Sequence, residues 1–316
     1  MIHEYALEPE LVATWTDRRD CRYFKESFGL GQGRVVSRYP KRWKRLVWNS
    51  FNSTDDFAQK RLEELLARLS EQMVQRSDAR WDGKSTSWRN NAESEHERLP
   101  FHAILARTNP KNHAHVLTEN DIDEDSATRW AVGRWCSVAR SAAEMADAVA
   151  PLLRCSSDVI FVDPYFGPER PRYRRSFEAF LERMVRQRPG EMPKRVEVHT
   201  SAEYTGTEEF FRGECKRRLR RCVPEGIQVL VRRLRQKQDG EKLHNRYILT
   251  DLGGVAFGIG LDDGNGNEGE TDDITLMDRD QYQLRWSQYG GNPPAGFDQE
   301  ETPVEVVGTR KLPTPS

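Results

Sequence analysis

From Ser157 onward short apolar runs alternate with amphipathic stretches, and this alternation constrains the fold more than any other feature of the sequence. Val159-Ile160-Phe161-Val162 is a continuous apolar run of the kind found in a strand covered on both faces, and it ends at Asp163-Pro164-Tyr165-Phe166. Ser176–Arg186 then places Phe177, Phe180, Leu181 and Met184 on one helical face. Val196–Thr200 reads as a second strand, Glu208–Cys222 as a second helix and Ile227–Leu234 as a third strand. Leu243–Thr250, Val255–Leu261 and Ile274–Met277 are short and strand-like, and a helix is expected over Asp280–Gln288. Strand–helix–strand–helix–strand followed by consecutive strands predicts an α/β fold, a mixed sheet flanked by helices.

The first half follows a different grammar. Ser53-Thr54-Asp55-Asp56 carries helix-start chemistry, and Phe57, Leu62, Leu65, Leu66, Leu69 and Met73 recur at helical spacing, so a helix is expected over 55–76. Gln75–Arg98 is polar and reads as a long loop, Leu99–Leu105 as a buried segment, His113–Leu117 as a strand and Ser141–Leu153 as a helix. The resulting division is a mainly helical or mixed N-terminal domain over 1–140, an α/β domain over 150–290, and a flexible Pro-, Gly- and Glu-rich tail over 291–316.

Composition excludes several classes. The 316 residues exceed one ordinary compact domain and suit two. The 49 Lys and Arg balance 50 Asp and Glu, so no global basic excess advertises nucleic acid. The 13 Phe, 8 Trp and 9 Tyr supply enough area for packed cores, which excludes wholesale disorder. No apolar run approaches the ~18 residues of a membrane span, and the N-terminus lacks a signal pattern. Five widely spaced cysteines without a CxxC pair argue for a reducing cytoplasm, against a disulfide framework and against a cysteine-built zinc site. The neutrality hides segregation: Arg170–Arg246 holds 21 Lys and Arg against 11 Asp and Glu, and the residues after it are predominantly acidic. Such segments either pair across a fold, line a basic groove beside an acidic rim, or form solvated surface.

One segment concentrates reactive side chains: Glu241-Lys242-Leu243-His244-Asn245-Arg246-Tyr247-Ile248-Leu249-Thr250-Asp251, with His244, Arg246 and Asp251 spaced H-x-R-x4-D. Residues two apart in a strand share a face, so His244 and Arg246 are expected to project together. An imidazole beside a guanidinium suits a phosphate, because the cation holds the nonbridging oxygens while the imidazole attacks phosphorus or moves a proton. Asp251 has the opposite strand parity and is expected to tie the strand end. Gly253-Gly254 and Gly258-Ile259-Gly260-Leu261-Asp262 follow; these glycines allow a tight turn and close approach, and their amides are candidate phosphate donors.

This stretch resembles the phospholipase D superfamily, whose motif is H-x-K-x4-D followed shortly by G-S-x-N. His244 and Asp251 match in identity and spacing, Arg246 stands where the family has Lys, and Gly258 matches the first glycine, while Ile259 and Leu261 replace Ser and Asn. With H-x-R and G-x-G-L-D, the string from His244 to Asp262 is more similar still to the phospholipase D-like C-terminal domain of microtubule-interacting-and-trafficking proteins, a branch generally regarded as non-catalytic. Val159–Phe166 and Val196–Thr200 are similar to the first strands of such domains, so the resemblance covers about residues 150–290.

The resemblance implies that His244 is a nucleophile forming a phosphohistidine, that Arg246 neutralises phosphate, and that Asp272 or Asp273 holds the histidine. It implies no metal and no cofactor. With a single motif copy it implies a homodimer with the motifs facing across a two-fold axis. The expected function is a cytoplasmic, metal-independent phosphodiesterase of phospholipase D type. The expected substrate is nucleic acid rather than lipid, because of the basic 170–246 region, which makes the chain a candidate DNA-binding nuclease in prokaryotic defence. The alternative is a non-catalytic module that binds phosphate, lipid or a partner within a larger complex.

Other candidates carry two readings each. His199 is a second site residue or a core histidine. Asp163 is a ligand residue at a strand's carboxyl end or a turn cap. His113-x-His115 lacks acidic or cysteine partners at metal spacing and reads as loop. Asp262–Glu270 fails the EF-hand template and reads as a flexible acidic hairpin loop. Gly29–Arg34 lacks the preceding strand and the Lys-Ser/Thr of a P-loop. Tyr39–Trp48 interleaves cations with aromatics as single-strand binders do, and equally reads as a surface helix with Trp43, Val47 and, as a third candidate, Leu46 turned inward.

Overall fold

The computed structural model describes residues 1–71, 73–122, 129–264, 269–299 and 301–312. The chain forms two compact units, Met1–Arg134 with Pro189–Glu191, and Trp135–Arg188 with Met192–Ser316. Both are mixed α/β.

The first unit contains β1 (His3–Leu7), α1 (Pro9–Val12), α2 (Arg18–Ser27), β2 (Arg34–Arg38), α3 (Trp43–Ser50), α4 (Asp56–Ser70), β3 (Met73–Gln75), α5 (Trp88–Arg98), β4 (Ala103–Leu105) and β5 (Val116–Leu117). Its sheet, in the order β3-β2-β1-β4-β5, is parallel throughout. The Asp55 carboxylate accepts the Phe57 and Ala58 amides at the start of α4, and Leu62, Leu65, Leu66 and Leu69 face inward at helical spacing. They share a core with Tyr5, Leu7, Trp15, Trp43 and Trp130. The segment expected as a loop over 75–98 instead contains α5, whose Ser87 side chain caps the Asn90 amide. Two of its inward positions are polar: Asn91 bonds the Asp82 amide and carbonyl, and Glu95 binds the buried Arg76, which also holds Glu4 at 2.7 and 2.8 Å. An apolar-periodicity argument passes over such a helix.

The second unit contains β6 (Trp135–Ala139), α6 (Ala142–Cys155), β7 (Asp158–Val162), α7 (Pro171–Val185), β8 (Arg195–Ser201), α8 (Glu208–Arg218), β9 (Gln228–Gln236), β10 (Arg246–Thr250), β11 (Gly253–Phe257), β12 (Thr271–Leu276), α9 (Arg279–Tyr289), β13 (Phe297–Asp298) and β14 (Val304–Val307). The strand order is β13-β9-β8-β7-β10-β11-β12-β6, with β14 also on β9. Crossovers through α7 and α8 make β7, β8 and β9 parallel. The tight Asp251-Leu252 turn makes β10 and β11 antiparallel, and β12 and β6 continue that pattern. β7 is covered on both faces. Ile160 and Val162 pack with Tyr247, Leu249, Met277 and Tyr289, while the Phe161 ring meets Phe177 and Phe180 of α7.

Three boundaries differ from expectation. Residues 135–139, assigned from sequence to the first domain, form the edge strand β6 of the second unit's sheet. α7 starts at Pro171 rather than Ser176, since proline suits the first helical turn. The expected flexible tail contributes β13 and β14, which pair with β9 because alternate residues Val304 and Val306 are buried. The basic and acidic segments also meet within this unit: Arg175 pairs with Asp263 (2.6 Å), Arg233 with Glu301 (2.9 Å) and Arg172 with Asp262 (3.3 Å). Much of the local positive charge that favoured nucleic acid from sequence is therefore internally matched.

Among the described residues no helix is long and apolar enough to cross a membrane.

Candidate functional site

The carboxyl end of a parallel strand is where open α/β sheets place ligands, and β7 ends at a pocket of about 330 Å³. Four arginines line it: Arg140, following β6; Arg170 and Arg172, at the start of α7; and Arg246, the first residue of β10. Tyr165, Tyr173, Ile259 and Asp262 complete the wall. Arg140 and Arg172 share Asp262 at 3.1 and 3.3 Å, Arg140 also reaches Glu270, and Arg170 pairs with Glu169 at 3.1 Å. Arg246 differs. Its guanidinium lies 5.3 Å over the Tyr165 ring, its Nε is buried without a hydrogen-bond partner among the described residues, and none of their carboxylates pairs with it. A cation held against a ring face and short of acceptors is prepared for an incoming anion.

Asp163, the residue after β7, is 1% exposed and lies at the same end of the β7–β10 ladder as Arg246. Its carboxylate accepts the Tyr165 amide at 2.9 Å, the Leu261 amide at 2.9 Å and, at 3.5 Å, the hydroxyl of the lining Tyr173, so it caps the turn and also braces the pocket wall. Burial pushes its pKa up to about 6, against the opposing pull of those two amides and of Arg246. The aromatic wall is itself supported, since Tyr204 stacks on Tyr165 with centroids 4.7 Å apart.

The glycine loop is built differently from expectation. Asp272, 2% exposed, accepts the amides of Gly258 (2.9 Å), Ile259 (3.0 Å) and Gly260 (3.3 Å). The amides proposed as phosphate donors are therefore already satisfied, and the carboxylate proposed to hold the histidine is occupied. A Cβ at Gly260 would stand 2.5 Å from Asp262 Oδ1, so a side chain there would displace that buried carboxylate, while one at Gly258 would stand a tight 3.0 Å from Asp272 Oδ1. Asp273 has the opposite strand parity and is exposed. Ile259 brings a side chain without a hydrogen-bond donor to the pocket, and Leu261 is buried.

His244 and Arg246 do not project together from a strand. β10 begins only at Arg246, paired with Phe257; Leu243 is the residue that turns into the core, which leaves His244 exposed and outside the described pocket lining. Its Nδ1 lies 2.9 Å from the Lys242 carbonyl oxygen. A carbonyl only accepts, so Nδ1 carries the proton and Nε2 holds the free lone pair.

Asp251 accepts the Ser157 and Asp158 amides at the start of β7 and so ties the strand end. His199 is fully buried, 2.7 Å from Glu197, which also holds Arg195 and Arg232 at 2.8 Å; this is a core network that shares no residue with the pocket lining. Burial holds the His199 pKa down, while hydrogen bonds from His199, Arg232 and Arg195 outweigh burial and hold Glu197 well below the usual carboxylate range. Of the acidic run, Asp262 and Asp263 are buried and ion-paired, and residues 265–268 lie outside the described residues. Sequence reasoning missed Arg140, Arg170, Arg172 and Tyr165 as lining residues. The readable signal was Arg170-Pro171-Arg172 at a helix start just after the Asp163-Pro164-Tyr165 strand end; Arg140 offers no comparable signal.

No protein-family model matches the chain, and no curated protein matches it significantly.

Proposed function

We propose that the second unit is a phospholipase D-like module that binds a phosphodiester through its arginine pocket, with Arg246 as the principal ligand. The observation that carries the reading is the Arg246 guanidinium, which forms no ion pair within salt-bridge distance among the described residues and is flanked by Arg140, Arg170, Arg172 and Tyr165 at the carboxyl end of β7. Arginine grips two phosphate oxygens at once, and a pocket of this size takes a phosphate with one substituent. Binding is favoured over hydrolysis because His244 stands outside the described lining and both neighbouring buried carboxylates, Asp163 and Asp272, are committed to backbone amides.

One observation favours a second reading, a metal-independent phosphodiesterase or nuclease. The Nδ1–H of His244 donates to a carbonyl and leaves Nε2 free as a nucleophile. Cleavage of bis(4-nitrophenyl) phosphate and of single- and double-stranded DNA and RNA, measured in EDTA for wild type and His244→Ala, separates the two. EDTA-resistant cleavage that disappears in His244→Ala establishes the hydrolase. Binding lost in Arg246→Ala, with no cleavage by wild type, establishes the binding module.

A further inference from the structure

The first unit contains a second cationic pocket, independent of the one above. Its volume is about 610 Å³, with Pro40, Leu46 and Trp81 on its apolar side and Lys41, Arg42 and Arg45 around it. The sequence pattern explains how the cations come to be presented. On α3, Trp43 and Val47 are fully buried, and Trp43 Nε1 donates to the Leu7 carbonyl at 2.7 Å. With these residues turned inward, Arg42 and Arg45, at i and i+3 on the opposite face, are exposed. The cation–aromatic interleaving of Tyr39–Trp48 therefore does not make a stacking surface by itself, because its central tryptophan belongs to the core.

Trp81 supplies the ring instead. It is half-buried and lines the pocket, and it meets the Tyr39 ring edge-on at 5.7 Å. Its amide donates to the Asp78 carbonyl at 3.0 Å, and Gly83 passes so close that a Cβ there would stand 2.8 Å from Trp81 Nε1. The ring is thus braced by Tyr39 on one side and by the close passage of Gly83. None of the charged groups of Lys41, Arg42 and Arg45 pairs with a carboxylate among the described residues. Asp78, the acidic residue in the lining, is turned to the Lys41 amide, which its two oxygens accept at 2.9 and 3.2 Å.

A half-buried indole beside three cations that lack a carboxylate partner among the described residues matches a flat π-system carrying an adjacent anion. Inorganic anions or acidic peptides would use the cations and leave the ring idle. We infer that this pocket binds a nucleotide unit of nucleic acid or free nucleotide, the base stacked on Trp81 and the phosphate held by Arg42 and Arg45.

The test uses the full chain carrying Arg246→Ala, so that the second unit's pocket does not contribute. Fluorescence anisotropy compares a labelled dT12 oligonucleotide with an abasic dodecamer of equal charge, and AMP is added as competitor. The expected result is that dT12 binds about tenfold or more tighter than the abasic strand. Arg42→Ala/Arg45→Ala is expected to weaken both about tenfold, whereas Trp81→Ala abolishes the preference between them and Trp81→Phe retains it. A 5-iododeoxyuridine strand is expected to crosslink to Trp81. Competition by AMP identifies the free nucleotide as ligand; its failure, with dT12 bound, identifies the strand. Equal binding of dT12 and the abasic strand by the Trp81-containing protein, or unchanged binding in the exposed-arginine double variant, overturns the inference.

Discussion

Arg246 and Asp163 are neighbours at the open end of the β7–β10 ladder, just beyond the Tyr247–Val162 pair, with Arg246 lining the pocket and the Asp163 carboxyl buried. This relationship makes the pocket's positive charge depend on pH. Asp163 titrates near 6 in the folded chain, above its ordinary 3.8, because burial disfavours the anion. As pH falls through 6, the carboxyl becomes neutral and Arg246 loses its internal counter-charge. Affinity for dimethyl phosphate, which has no titrating group in this range, should rise about three- to tenfold between pH 7 and pH 5. Line broadening of its 31P resonance measures this, and a flat profile contradicts the assignment.

The same shift has a stability consequence. A carboxyl with a raised folded pKa binds its proton more tightly in the folded state, so it favours folding below 3.8 and this contribution is lost as pH rises through about 6. The difference amounts to about 3 kcal/mol at most. Urea unfolding of the second unit at pH 4 and pH 7 should show this loss, and it should be absent in Asp163→Asn.

Asp272 and Asp273 are adjacent in sequence and opposite in consequence. Asp272→Ala leaves three amides of the Gly258–Gly260 loop without their acceptor and should cost about 3 kcal/mol or more, with loss of anion binding as Ile259 shifts. Asp273→Ala removes an exposed carboxylate and should stay within about 0.5 kcal/mol. Equal effects in thermal unfolding would refute the loop-bracing role of Asp272.

His96 predicts acid sensitivity in the first unit. Its Nδ1 accepts the Phe101 amide at 3.2 Å, its ring stacks on His115 with centroids 3.9 Å apart, and burial with the His115 and Arg129 charges lowers its pKa to about 4. The unfolded chain takes up the proton near 6.5, so the stability is present above that value and is lost as pH falls toward 4. A loss of about 2 kcal/mol between pH 7 and pH 4.5 is expected, allowing for partial solvent screening. In His96→Gln, which keeps an acceptor without titrating, this slope should flatten; an unchanged slope assigns the effect elsewhere.

The second unit was legible because its strands advertise themselves. Val159–Val162 is apolar throughout, as a strand packed by Phe177 and Phe180 on one side and Tyr247 and Tyr289 on the other must be. The first unit's parallel sheet was not legible, because β1 and β2 carry Glu4 and Arg34, charges that ordinarily mark a solvated surface. In the fold Glu4 is held by Arg76 and Arg34 donates to the Trp130 carbonyl, partners remote in sequence, and Arg34 also donates to the nearer Ser27 carbonyl. Arg246 could be singled out from its local motif. Its companions could not, since Arg140 and Arg172 join it only through the strand order of the sheet. The position of His244 was misjudged because strand parity presumes a strand, and pairing starts two residues later.

The central claim is that Arg246, and not His244, holds the anion. Titrating dimethyl phosphate into wild type, Arg246→Ala and His244→Ala and following 31P line broadening tests it most directly. The account predicts binding lost in Arg246→Ala and kept within about twofold in His244→Ala. Binding that survives Arg246→Ala, or that vanishes with His244→Ala, contradicts it.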